Sequence, residues 1–146
     1  MDIFLATSDH LGDVAPLFDQ YRVFYGQSSD FPGAQKFIAA RLQHQDSTIF
    51  LAMDAGKAVG FTQLYPCLSS VSMGRIWILN DLFVAPTHRR QGIAKQLMQR
   101  AAAYGRETGA LRLSLSTQIT NSAAQALYRS LGYEEDTEFK HFDLAL

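Results

Sequence analysis

The chain has one cysteine, Cys67, in 146 residues. An internal disulfide is therefore excluded, and a reducing compartment is the natural setting. Cys67 reads as a small half-buried strand residue rather than a nucleophile. Charge of one sign is also lacking: 13 Lys and Arg against 14 Asp and Glu leave a net charge of −1, which argues against a face built to hold nucleic acid. No stretch approaches the ~20 apolar residues of a membrane span; Trp77-Ile78-Leu79 is stopped by Asn80-Asp81. The start, Met1-Asp2-Ile3-Phe4-Leu5, has no basic segment of the kind that opens a signal peptide. A cytoplasmic location is the expectation. The histidines, His10, His44, His88 and His141, show no metal-ligand spacing, so no metal site is expected. Neither GxxxxGK[ST] nor GxGxxG occurs, which sets aside the ATP and NAD cradles. No repeat, linker or low-complexity segment divides the chain, and its length suits a single domain over residues 1–146.

What is present alternates between strand and helix periods. Ile3 to Ala6 reads as a first strand, with Ser8 or Asp9 placed to cap the helix after it. Val14, Leu17, Phe18, Tyr21 and Phe24-Tyr25 recur at helical spacing, and Pro16 suggests that the regular part begins close to it. Pro32 opens a second helix ending near Gln45. Strands are expected over Thr48 to Met53 and Ala58 to Tyr65, joined by the turn Asp54-Ala55-Gly56-Lys57. A long strand region runs from Val71 to Val84. Leu111 to Leu115 alternates with period two, as a strand does. Asn121 or Ser122 caps a further helix, Ser122 and Gln125 are spaced as a capping box, and Gly132 is its stop. Tyr133 to Glu135 and Phe139 to Leu146 are expected to finish as strands. The order is β-α-α-β-β-β-α-β-α-β-β, a mixed α/β domain.

One stretch has chemistry written into its backbone. Leu82-Phe83-Val84 is an apolar strand, Ala85-Pro86-Thr87 turns, and Arg89-Arg90-Gln91-Gly92-Ile93-Ala94 leads into a helix with Ile93, Leu97 and Ala101 on one stripe. The first N–H groups of a helix have no partner within it and carry the positive end of its dipole. Gly92 allows close backbone approach, Ala94 keeps the next turn slim, and two arginines add charge. The pattern suits a diphosphate.

These six residues resemble the R/Q-x-x-G-x-G/A signature of the GNAT family of N-acetyltransferases. The preceding Asn80-Asp81-Leu82-Phe83-Val84-Ala85-Pro86 is similar to that family's fourth strand, and Asn121 to Tyr133, NSAAQALYRSLGY, to its later motif. The likeness runs from about residue 76 to 133. It implies a twisted mixed sheet of about seven strands flanked by four helices, with acetyl-CoA in the gap where the fourth and fifth strands splay apart. It assigns the backbone around Gln91, Gly92, Ile93 and Ala94 to the pyrophosphate and the main chain of Leu82, Phe83 and Val84 to the pantetheine. Arg89 and Arg90 are left to the adenosine 3′-phosphate or to solvent. Asn121 has two compatible roles, helix cap and pantetheine contact. Tyr128 is the residue implied to protonate the leaving thiolate, against its reading as a core tyrosine on an apolar stripe.

The proton acceptor is not settled by the resemblance. An alkylamine with a pKa near 10 is only ~0.1% neutral at pH 7, so direct attack on a thioester requires loss of a proton. Relatives that acetylate spermidine keep a glutamate at the position of Asn80, and relatives that acetylate histones keep one at that of Ile78. Asp81 is the nearest carboxylate here, and strand alternation would turn it to the face opposite Asn80. A structural role for Asp81, and deprotonation through water and main-chain carbonyls, both stay open. Tyr21, Tyr25, Ser28, Asp30 and Tyr65 are candidates to line the acceptor, and tyrosines with an aspartate suit a cationic amine, whether small molecule or peptide. A non-catalytic acyl-CoA sensor is the alternative function. A homodimer through the Phe139–Leu146 strand is the assembly the sequence leaves open.

Overall fold

A computed structural model describes all residues, Met1–Leu146. They divide into two compact units, Met1–Leu115 and Ser116–Leu146. The first holds a sheet of five strands in the order β1-β2-β3-β4-β5. These are β1 Asp2–Leu5, β2 Thr48–Asp54, β3 Lys57–Ser69, β4 Gly74–Val84 and β5 Leu113–Ser114. The first four pair antiparallel and β5 joins β4 in parallel. Ala55 and Gly56 make the β2–β3 turn with φ of 49° and 75°, the left-handed pair that a two-residue hairpin needs.

Helix α1, Leu11–Phe24, and helix α2, Phe31–His44, cover one face of the sheet. Val14, Leu17, Phe18, Ala34 and Ile38 pack there with Ile49, Leu51, Phe61 and Phe83. Burial of each of these side chains other than Ala34 contributes about 1.5–3 kcal/mol. Helix α3, Ile93–Glu107, packs against the sheet through buried Ile93, Leu97, Met98 and Ala101. A Cβ on Gly60 would stand 3.4 Å from side chains of both Ile93 and Leu97, so this glycine lets helix and sheet approach closely. Beside them Tyr104 lies edge-on to Phe50 and accepts a hydrogen bond from Thr48 Oγ1 at 3.2 Å.

Pro16 lies inside α1 rather than near its start. The N–H it lacks would have bonded Gly12, an exposed residue in the helix's first turn, whose carbonyl is open to solvent. The entry to α1 is a 3-10 turn, Ser8–His10, in which the Thr7 N–H donates to His10 Nδ1 at 2.9 Å, so neither Ser8 nor Asp9 is the cap. Cys67 is exposed on β3.

The second unit carries helix α4, Ser122–Ser130, capped by Asn121, whose Oδ1 accepts from the Ala124 N–H at 3.2 Å. Gln125 does not complete a capping box; its Nε2 donates to the carbonyl of Ile119 at 2.9 Å. The helix ends as expected at Gly132, with φ 91° and N–H bonds from Gly132 to the Arg129 carbonyl and from Tyr133 to that of Tyr128. The two strands expected over 133–135 and 139–146 do not form, so the sheet has five strands rather than seven. Between those stretches the Asp136 carboxylate accepts from the N–H groups of Glu138 and Phe139 and turns the chain. The Phe139, Phe142 spacing also breaks the period of two, and strand propensity without a ladder partner is weak.

Candidate active site

Strand β4 brings the site together because its two edges end differently. β3 pairs with it along its length, but β5 meets it only at Trp77 and Ile78. From Leu79 to Val84 no strand lies on the second edge. The Ala85 N–H is taken by the Val59 carbonyl on the β3 side at 2.8 Å. By alternation the main-chain groups of Val84 and Leu82 face the open edge.

The chain leaves that edge through a 3-10 turn, Pro86–His88, and enters α3 through two left-handed residues, Arg90 at φ 62° and Gly92 at φ 79°. The first bond of α3 runs from the Gln96 N–H to the Gly92 carbonyl at 3.1 Å. The N–H groups of Ile93, Ala94 and Lys95 precede it and have no carbonyl inside the helix. No side chain caps them, and no acidic residue stands in the first turn. In contrast, α2 is capped by Asp30, which accepts from the Gly33 N–H at 3.0 Å, and α4 by Asn121. Open donors, no carboxylate, and exposed Arg90 and Lys95 fit a diphosphate. Gln91 is exposed beside them. Arg89 turns the other way: its Nε donates to the Val84 carbonyl at 3.1 Å, and its guanidinium lies 5.1 Å from the Phe24 ring and 5.6 Å from that of Phe83.

A second group of polar residues sits on the α1 side of β3 and β4. Gln63 pairs with Asp81, but the next pair is Leu64 with Leu79, so Asn80 is an extra residue in β4. This bulge breaks strict alternation. Asn80 and Asp81 therefore do not part to opposite faces: Asn80 Nδ2 donates to Asp81 Oδ1 at 3.1 Å. Asp81 is only 4% exposed. Its Oδ2 accepts from Gln63 Nε2 at 2.7 Å, and Gln63 Oε1 accepts from Ser47 Oγ at 2.8 Å. Neither Gln63 nor Ser47 stood out in the sequence; the polar pair Thr62-Gln63 within an apolar stretch of β3 was the available signal.

Tyr21 completes this group. Its hydroxyl donates to the Asn80 carbonyl at 3.4 Å and lies against the Asp81 carboxylate. Burial first, and then the Asp81 charge, push its hydroxyl far above the ordinary tyrosine range. Tyr65, on the same strand as Gln63, is pushed up to about 12 by burial and then by Asp81. Tyr25 stacks edge-on against Tyr21, ring centroids 5.0 Å apart, and is itself exposed. Asp30 is not part of this group: its carboxylate caps α2 and its N–H donates to Asp19 Oδ1. Ser28 likewise faces Arg22 through its carbonyl. In the second unit Tyr128 lies 6.1 Å from Tyr133 between ring centroids.

The chain is similar to known proteins in sequence and fold. The profile of the acetyltransferase (GNAT) family matches residues 14–133. The uncharacterized N-acetyltransferase YhfO of Bacillus subtilis (strain 168) is 49% identical over 99% of this chain and 97% of its own. An aminoglycoside N(6')-acetyltransferase type 1 of Klebsiella aerogenes is 26% identical over 73% of this chain and 72% of its own. Among solved structures, a probable acetyltransferase superposes with TM-score 0.95 at 45% identity, covering 100% of this chain and 98% of that one. The aminoglycoside N-acetyltransferase AAC(6')-Iy in complex with CoA superposes with TM-score 0.81 at 25% identity, covering 99% and 95%.

Proposed function

Because the chain belongs to the acetyltransferase (GNAT) family, we propose that it acetylates a primary amine by direct transfer in a ternary complex, with residues 1–146 acting as one catalytic domain. It is an acetyltransferase, and its cofactor is acetyl-CoA. The cofactor supplies an acetyl thioester; the protein supplies position and charge. The N–H groups opening α3 hold the pyrophosphate, with Gly92 allowing its approach and Arg90 adding charge. The open edge of β4 from Leu82 to Val84 holds the pantetheine by its main chain. The family resemblance assigns Asn121 to the pantetheine as well, and Tyr128 to the proton that the departing thiolate takes up.

The acceptor enters on the α1 side, past Tyr25 and Tyr65, and presents its amine to Tyr21, Asn80 and Asp81. An ammonium must lose a proton before it attacks. Asp81 is the carboxylate in reach of that group, and Asn80 orients it. Backbone donors held in place before the reaction cost no reorganisation during it. The observation that carries this reading is the uncapped, acid-free start of α3 joined by one short turn to an unpaired strand edge.

Acetyl-CoA with a panel of amines, read by thiol release, tests it. The panel holds polyamines, amino acids, short peptides and, because relatives bear that name, aminoglycosides. Acceptor-dependent release is expected, with micromolar CoA binding by calorimetry. Tyr128→Phe should lower kcat about tenfold or more with CoA affinity unchanged; unchanged kcat at saturation would remove Tyr128 as the acid. A second reading is a non-catalytic acyl-CoA sensor. What favours it is Asn80 standing where some relatives carry glutamate, beside a carboxylate as buried as Asp81. Tight CoA binding with no release for any amine would select it. Absence of CoA binding would overturn both.

A further inference from the structure

Gln63 is fully buried in the middle of a sheet and makes two side-chain hydrogen bonds, one to each side. A buried amide is costly unless both ends are satisfied. Here the two partners differ in kind. Asp81, when ionised, can only accept, so it requires Gln63 to present its NH2 group. Ser47 is a hydroxyl and can either donate or accept. In the arrangement found, Ser47 donates to Gln63 Oε1 and Gln63 Nε2 donates to Asp81 Oδ2, which matches an ionised Asp81. A proton that reaches Asp81 from the Tyr21 side leaves the oxygen facing Gln63 as an acceptor, so the NH2 group keeps its bond, a stronger one while Asp81 is charged.

We infer that Gln63, oriented by Ser47, is a positioning residue that holds Asp81 as the acceptor of the amine's proton. The inference rests on the reading above that Asp81 takes this proton. In the step itself the N–H bond of the ammonium breaks and its electron pair stays on nitrogen. The proton bonds to the Tyr21 oxygen as the Tyr21 proton, turned from the Asn80 carbonyl to the carboxylate beside it, bonds to Asp81. Tyr21 ends neutral, Asp81 ends protonated, and the free amine is left to attack. Tyr21 from α1 and Tyr65 from β3 are the titratable groups facing Asp81, and Arg41 and Asp46 act on Tyr65. Asp81 makes no ion pair. Its carboxylate accepts from Gln63 and Asn80 and lies against the Tyr21 hydroxyl.

The test uses the full chain and two readouts. One is the pH dependence of kcat/KM with the fastest amine of the panel. The other, free of any acceptor, is NMR titration of the Asp81 carboxyl carbon. Gln63→Leu should move the acid limb and the carbon titration upward together by about one pH unit, the worth of a lost hydrogen bond to a charge. Ser47→Ala should move both the same way by less, and it covers the case in which Gln63→Leu fails to fold. Acetyl-CoA affinity should stay within twofold in both. Midpoints that stay in place in Ser47→Ala and in folded Gln63→Leu would overturn the positioning role. Asp81→Asn with unchanged kcat/KM would instead overturn Asp81 as proton acceptor, a different failure with a different signature.

Discussion

The cofactor turn and the polar group on β4 lie close in sequence and are made of opposite materials. The turn from Val84 to Lys95 offers main-chain N–H groups, and the side chains around them, Gln91 and Arg90 among them, are mostly exposed, with Ile93 buried. The polar group around Asp81 is mainly side chains, drawn from β4, β3, α1 and the α2–β2 loop, with the Asn80 carbonyl as its main-chain member. Backbone donors serve any sequence that holds the right dihedral angles. Side-chain donors serve only if each partner keeps its atoms. The first region should therefore break when a backbone angle is denied, the second when a single polar atom is removed.

The largest effect follows from Gly92. Its φ of 79° is one that L side chains reach at a cost of about 1–2 kcal/mol. Nothing lies within 4 Å of where a Cβ would stand, so Gly92→Ala isolates backbone strain from crowding. If the cradle shifts to relieve that strain, CoA affinity falls by about tenfold, the same free energy seen at the ligand. Calorimetry with CoA measures it. Gln91→Ala, at an exposed side chain beside it, should leave affinity as it was. Equal losses in both would mean that side chains rather than main chain hold the diphosphate.

The same contrast explains what could be read in advance. The turn is local: strand, glycine and helix stripe follow one another within about twenty residues, and its geometry depends on that order. The group around Asp81 is not. Tyr21 and Tyr65 could be named as acceptor-side residues, but Ser47 and Gln63 join Asp81 only through the pairing of β3 with β4 and the loop before β2. The bulge at Asn80 is invisible to an alternating pattern, and it decides that Asn80 and Asp81 touch. Asp30 was legible as an acidic residue near a loop, but not as the cap of α2, which depends on the N–H of Gly33 three residues later. The C-terminal strands failed for a related reason. Residues 139–146 have strand-like composition, but a strand is defined by its partner.

A second comparison sharpens the first at lower cost. The start of α2 is closed by a carboxylate, and the start of α3 is not. Asp30→Ala removes a cap worth about 1 kcal/mol. For a chain of this length that lowers Tm by roughly 2–4 °C. Gly33→Ala should do much the same, because a Cβ there would come within 2.3 Å of Asp30 Oδ2 and push the cap away. Neither change should alter CoA affinity, read by the same calorimetry. A loss of CoA binding in Asp30→Ala would place this end of α2 in the site and blur the distinction between capped and uncapped helix.

The smallest effect is confined to alkaline pH and tests the electrostatics around Asp81. Tyr65 is held up to about 12, by burial first and by the Asp81 charge second, with Asp46 adding and Arg41 opposing. In the unfolded chain the same phenol loses its proton near pH 10. The folded protein thus binds this proton more tightly than the unfolded one. Stability from Tyr65 is intact below about pH 10 and is lost as pH rises from there through about 12. Tyr21 is shifted in the same direction and adds to the loss. Tyr65→Phe cannot ionise, so its Tm should fall less steeply than that of the parent over this window, with both falling alike between pH 7 and 9. Parallel curves up to pH 12 would mean that Tyr65 feels neither burial nor Asp81. The side-chain half of the site would then be more open to water than the hydrogen bonds of Asp81 imply.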